Sequence, residues 1–343
     1  MIKVEHLTKK YGDHVAVEDL SFTIEDGQIY GFLGANGAGK STTMNIMTGC
    51  LAATSGDVTV NGHNIFDEPL EAKKHIGYLP ELPPLYPEDT PREYLSFVAS
   101  AKGIPAKAIA QSVDSVMADT GLTDVADRLC KNLSKGYRQR VGIAQALLGS
   151  PDIVILDEPT VGLDPRQIIE IRDLIRSLGK SHTVILSSHI LSEVQAVCTT
   201  ILIISKGRLV ACDTPEGLEK LFAGSAVVKL VLECDEKNAG SVLASVGGKC
   251  SSIEKGSLPG TCIVSLECAT SDTSSLCRDV FFACAKAGVA ILEMTSQKAS
   301  LEDIYIELTE HGASAAANAS AGEEELSQQP ADLVSNKDEG GNK

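Results

Sequence analysis

Gly34-Ala35-Asn36-Gly37-Ala38-Gly39-Lys40-Ser41 leaves this chain few folds to choose from. A short apolar run, Ile29 to Leu33, precedes it and a helix-compatible segment follows. The spacing G-x-x-x-x-G-K-S between a strand and a helix suits phosphate. Its glycines let successive backbone N–H groups turn inward, the helix N-terminus adds the positive end of its dipole, and the lysine reaches the terminal phosphates. Gly34, Asn36, Gly37, Ala38, Gly39, Lys40, Ser41 and Thr42 are therefore the expected nucleotide-binding stretch, with Ser41 placed to ligate Mg²⁺.

Two more apolar runs end in polar residues. Ile153-Val154-Ile155-Leu156 shows no alternation, which predicts a strand buried on both faces of a parallel sheet, and it delivers Asp157 and Glu158. Ligands bind at the C-terminal ends of strands in open α/β sheets. An Asp there holds Mg²⁺ through water, and an adjoining Glu orients or deprotonates an attacking water. The plainer alternative is a helix start with acidic residues in its first turn. Thr183-Val184-Ile185-Leu186 leads into Ser187-Ser188-His189, so His189 belongs to the same sheet edge, as a structural hydrogen-bonding residue or as a γ-phosphate contact. Far along the chain from the phosphate loop, Asn132 to Gly142 reads NLSKGYRQRVG. Ser134 is a favoured N-cap there, and Val141, Ile143, Ala144, Leu147 and Leu148 follow at helical spacing.

Charge narrows the choice of partners. A formal net charge of −16 and a pI near 4.9 argue against a broad nucleic-acid footprint, which needs clustered Lys and Arg. No apolar run approaches the roughly 18 to 20 residues that span a bilayer, and MIKVEHLTKKYG lacks the apolar core of a signal peptide, so a cytoplasmic location is expected. None of the ten cysteines forms a C-x-x-C pair, and they read as small reduced hydrophobes.

Taken in order, these residues resemble the nucleotide-binding subunit of an ABC transporter from Met1 to about Gly224. Tyr11 is similar to the aromatic that stacks on adenine, Gly34 to Ser41 to the Walker A loop, Leu133 to Tyr137 to the signature, Ile155 to Glu158 to Walker B, Gly162-Leu163-Asp164 to the D-loop, and His189 to the switch histidine. The resemblance implies ATP and Mg²⁺ as cofactors, with Ser41, Asp157 and Glu81 at the metal and Glu158 and His189 as catalytic residues. It also implies two such domains packed head to tail, with itself or a paralogous subunit as partner. Ser134, Gly136 and Asp164 would then serve ATP held between the two chains. Two departures stand out: Lys135 and Tyr137 replace a Gly and a Gln of the usual signature, and Glu81, in Ile76 to Glu81, replaces the Gln of the Q-loop. An amide donates hydrogen bonds where a carboxylate cannot, so Glu81 is expected to reach the ion through water.

The layout further resembles the ABC-2 branch through YLPE, PREYL and the ending Ser300 to Tyr305. That implies export through a separate membrane permease, with this subunit peripheral at the inner face of the cell membrane. A helical arm from about Thr90 to Ser150 would form its dock, with Val98, Ile104 and Met117 open as dock or core. The alternative is a soluble ABC-type ATPase acting as a regulatory or ribosome- or DNA-associated factor.

The expected fold class is α/β, a P-loop ATPase domain with a helical subdomain over residues 1–224. A small α+β ferredoxin-like domain over 225–311, read from a β-α-β-β-α-β order with its first helix over Asn238 to Val246 and its last strand over Val289 to Met294, and an acidic disordered tail over 312–343 complete the chain.

Overall fold

A computed structural model describes residues 1–221, 226–244, 246–256, 258–268, 273–298 and 305. The chain opens on a hairpin, β1 (Ile2–Tyr11) and β2 (His14–Ile24), whose alternating burial turns Ile2, Val4, Leu20, Phe22 and Ile24 inward. β3 (Ile29–Leu33) follows, wholly buried, and hands the chain through the phosphate loop to α1 (Lys40–Met47). β4 (Ser55–Val60), the short β5 (His63–Asn64), α2 (Pro69–Lys74) and β6 (Ile76–Leu79) come next.

The helical arm consists of α3 (Pro91–Ala101), α4 (Ala106–Asp119) and α5 (Lys135–Leu147). A capping box starts α3: Thr90 Oγ1 accepts the Glu93 N–H at 3.2 Å, and Glu93 Oε2 accepts the Thr90 N–H at 2.9 Å. β7 (Ile153–Leu156), α6 (Pro165–Leu178), β8 (Thr183–Ser188), α7 (Leu191–Val197), β9 (Thr200–Ser205), β10 (Arg208–Asp213) and α8 (Pro215–Leu221) complete this part.

The six-stranded sheet runs β10-β9-β3-β8-β7-β6, parallel except for β10. Side-chain parity explains the apolar runs. In β7, Val154 and Leu156 join the core under the helical arm, while Ile153 and Ile155 join the core shared with the antiparallel sheet β2-β1-β4-β5. Both faces are covered, so neither has use for a polar residue. Across the second core Phe22 meets Phe32 edge to face, ring centroids 5.4 Å apart. Met117 is core of the arm, and Val98 and Ile104 pack half-buried against the same core.

A third core lies along β11 (Ala226–Leu232), α9 (Glu236–Leu243), β12 (Lys249–Lys255), β13 (Cys262–Cys268), α10 (Ser274–Ala287) and β14 (Ile291–Lys298). The antiparallel sheet runs β12-β13-β11-β14, so the first and third strands pair at the centre as in the split βαβ arrangement. The cysteines divide: Cys130, Cys198, Cys262 and Cys284 are buried, whereas Cys50, Cys212 and Cys250 are exposed. Of the sequence ending at Ser300 to Tyr305, only Tyr305 falls within the described residues, and the expected tail lies outside them. No helix among the described residues is long and apolar enough to cross a membrane.

Candidate functional site

Three parallel strands end side by side and each releases a polar group at its C-terminal tip, which is where open α/β sheets collect ligands. β3 leads into the phosphate loop, β7 into Asp157 and Glu158, and β8 ends at Ser187 and Ser188 just before His189. The loop's shape depends on Gly39, with φ of +106°. A Cβ there would sit 2.7 Å from the Ala16 carbonyl oxygen.

Lys40 is buried and its ammonium is fully engaged. Nζ donates to the Gly34 carbonyl at 2.8 Å and to the Ala35 carbonyl at 3.4 Å, and lies 3.3 Å from Glu158 Oε1. The other oxygen of Glu158 meets His189 Nδ1 at 3.0 Å. Glu158 has φ of +47°, a region an L-residue occupies at a cost of order 1 kcal/mol. Ser187 offsets that strain by accepting the Glu158 N–H at 2.7 Å. The same hydroxyl donates to Asp157 Oδ1 at 2.6 Å, and Ser41 Oγ donates to that oxygen at 3.2 Å.

Ser41 and Asp157 thus present two hard oxygen donors side by side, a pair suited to Mg²⁺. Burial, and then the charges of Asp157, Cys50 and Glu81, push the Tyr78 phenol up. A cavity of about 470 Å³ is lined by Tyr11, Asn36, Gly37, Gly39, Lys40, Ser41, Thr42, Glu81, Glu158 and His189, while Asp157 lies outside that lining, behind Ser41. Gly34 and Ala38 are buried behind it.

Ser134, Gly136 and Asp164 lie outside that lining. Ser134 is exposed and caps α5, its Oγ accepting the Tyr137 N–H at 3.3 Å. Gly136 is buried against α6, where an added Cβ would come within 2.9 Å of Gln167. Asp164 caps α6, its Oδ1 accepting the Gln167 N–H at 2.9 Å.

Sequence reasoning missed His14 and Ala16, which line the cavity from the β1–β2 hairpin, and Val161 after Walker B. It noted Ser187 at a strand end without seeing that it holds both Asp157 and Glu158. A serine pair closing an otherwise apolar buried strand was the available signal. The buried Thr160 hydroxyl, paired with Glu193, had none.

A family model described as ABC transporter matches residues 17–161. The bacitracin transport ATP-binding protein BcrA of Bacillus licheniformis is 43% identical over 211 residues, 61% of this chain and 68% of that protein. The linearmycin resistance ATP-binding protein LnrL of Bacillus subtilis is 35% identical over 233 residues, 68% of this chain and 75% of its own length. A solved structure of an ATP-binding subunit of an ABC transporter superposes with a TM-score of 0.59 at 30% identity, over 65% of this chain and 93% of that one.

Proposed function

This chain belongs to the ATP-binding proteins of ABC transporters, and on that premise we propose that it is the ATP-hydrolysing subunit of an ABC-2 type exporter, working with a separately encoded membrane permease. The observation that carries the chemistry is the chain from buried Lys40 and Glu158 out to the exposed His189, at 3.3 and 3.0 Å, beside the Ser41–Asp157 pair. Tyr11, 49% exposed at the cavity mouth, offers a face to adenine. Asn36, Gly37, Gly39 and Lys40 hold the β- and γ-phosphates, with Thr42 beside them. Ser41 and Asp157, with Glu81 nearby, would hold Mg²⁺, which when bound would supply positive charge against the phosphates. Glu158 takes a proton from the attacking water, and His189 orients Glu158 and the γ-phosphate. Ser134, Gly136 and Asp164 complete a second chain's site in a head-to-tail dimer with itself or a paralogue.

Export is favoured by the names of the relatives BcrA and LnrL, one a transport protein and the other a resistance protein. A surface for the permease is available beside the Q-loop position. Leu82 is 81% exposed next to Glu81, and Tyr86 packs on the exposed Phe97 with ring centroids 5.5 Å apart. The proposed domains are 1–224 for the ATPase and 225–311 for the small C-terminal unit, with 312–343 as a tail.

The tagged full chain, purified from detergent-solubilised membranes, should retain a polytopic protein. The pair Leu82→Glu and Phe97→Glu should release it. Recovery only with ribosomes or DNA would instead favour the soluble alternative.

A further inference from the structure

Two cysteines meet at one corner of the C-terminal sheet. Cys234 lies two residues past the end of β11, and Cys262 is the first residue of β13, paired in register with Leu232 of β11. Their Sγ atoms are 3.8 Å apart, in direct contact. The backbone is anchored on both sides of that contact. The Glu233 N–H donates to the Ala290 carbonyl at 3.0 Å and Asp235 caps α9, so Cys234 is held between two fixed neighbours. The Gly256 N–H donates to the Thr261 carbonyl at 2.8 Å, immediately ahead of Cys262. The two thiols differ in access: Cys234 is half-buried, whereas Cys262 is fully covered. Burial, and then the contact with Cys234, push the Cys262 thiol up to about 11, which keeps it protonated and unreactive toward a dissolved oxidant. Cys284 lies buried in the same core.

We propose that Cys234 and Cys262 form an oxidisable dithiol, a modification site whose co-reactant is a hydroperoxide and whose product, an intramolecular disulfide, staples the C-terminal unit. The Cys234 thiolate attacks one peroxide oxygen: an S–O bond forms, the O–O bond breaks, and the departing oxygen takes up a proton. Cys262 then gives up its proton and attacks the sulfenic sulfur of Cys234, so that the S–S bond forms, the S–O bond breaks and water leaves. Two thiols and one ROOH become one disulfide, one ROH and one water; the dithiol loses two electrons and the peroxide gains them. The sulfurs have less than about 2 Å to travel to their bonded separation, a distance within reach of side-chain rotation. The link closes a loop that holds α9 and β12, so it ties both to the centre of the sheet. The state of two sulfurs thereby sets how readily the C-terminal unit opens.

The test treats the full chain, dilute enough to keep chains apart, with hydrogen peroxide, blocks the remaining thiols with N-ethylmaleimide, and maps the peptides by mass spectrometry without reductant. Wild type should yield the Cys234 peptide joined to the Cys262 peptide, two hydrogens lighter than their sum, and dithiothreitol should separate them. Cys234→Ser should leave Cys262 a free thiol after the same treatment. Cys250→Ser, which removes an exposed thiol of the same unit, should form the link as wild type does. In a separate time course on the linked chain, the buried Cys284 should react with the maleimide about 30-fold or more slowly than in the reduced chain, because closing a loop disfavours the opening that exposes it. A sulfinic or sulfonic Cys234 beside a free Cys262, a link to any other cysteine, or a link that leaves the Cys284 rate unchanged overturns the proposal.

Discussion

The phosphate loop and the signature helix handle the same nucleotide under the proposed reading, yet they are built in opposite ways. Around Lys40 the groups are already paired within one chain, and all but Ser41 and His189 are buried: Lys40 with Glu158, Glu158 with His189, Asp157 with Ser41 and Ser187. At the N-terminus of α5 the polar groups face outward. Among the described residues, exposed Ser134 has only a backbone N–H on its side-chain oxygen, and no signature residue lines the cavity. The other end of α5 is firmly held, Lys102 Nζ donating to the carbonyls of Gln145, Ala146 and Leu148 at 2.9, 3.1 and 2.8 Å. Under that reading the first region is the reaction site of one chain, and the second presents a positive helix end to a partner outside it.

The contrast can be broken at its buried side first. Glu158→Gln keeps the shape and loses the basic oxygen, so ATP binding should persist while turnover falls by about 10²- to 10⁴-fold. Parallel binding and hydrolysis assays read this directly, and unchanged turnover would remove Glu158 from its role. At the presenting side, Ser134→Ala should cost about 1 kcal/mol of stability as a lost N-cap, measured by urea unfolding. Its effect on ATP-dependent association should exceed what Asp235→Ala does, since Asp235 is an equivalent cap on α9 in the C-terminal unit, far along the chain from the signature. Equal effects would reduce Ser134 to a helix cap. The smallest change is expected at Glu81→Gln, which lies between the two regions. ATP affinity should hold while the Mg²⁺ dependence of turnover shifts, and superimposable Mg²⁺ titrations would place Glu81 away from the ion.

Much of the buried side was legible because covering both faces of a parallel sheet forces unbroken apolar runs, and the polar residue ending each run then stands out. Asp157, Glu158 and His189 were found this way. His14 and Ala16 were not, because they reach the cavity through a hairpin turn that carries no pattern of its own. In the C-terminal unit the element order was readable, but boundaries moved where a local signal was overlooked. A helix expected from Asn238 begins at Glu236, because Asp235 caps it by accepting the Asn238 N–H at 2.8 Å. The last strand, expected over Val289 to Met294, runs Ile291–Lys298, since pairing with β11 rather than its own apolar pattern sets its length.

The shared site is tested most directly by mixing two defective chains. Lys40→Ala lacks the phosphate clamp, and Ser134→Arg carries an obstruction at the presenting face, so each should be inactive alone. Under two-fold assembly about half the dimers in an equal mixture are mixed, and each of those holds one whole composite site and one doubly defective site. Hydrolysis and ATP-dependent association are measured together before and after mixing. The account predicts a gain in at least one of them on mixing. Two folded, dimer-competent variants that regain neither would contradict it and confine ATP handling to the single chain.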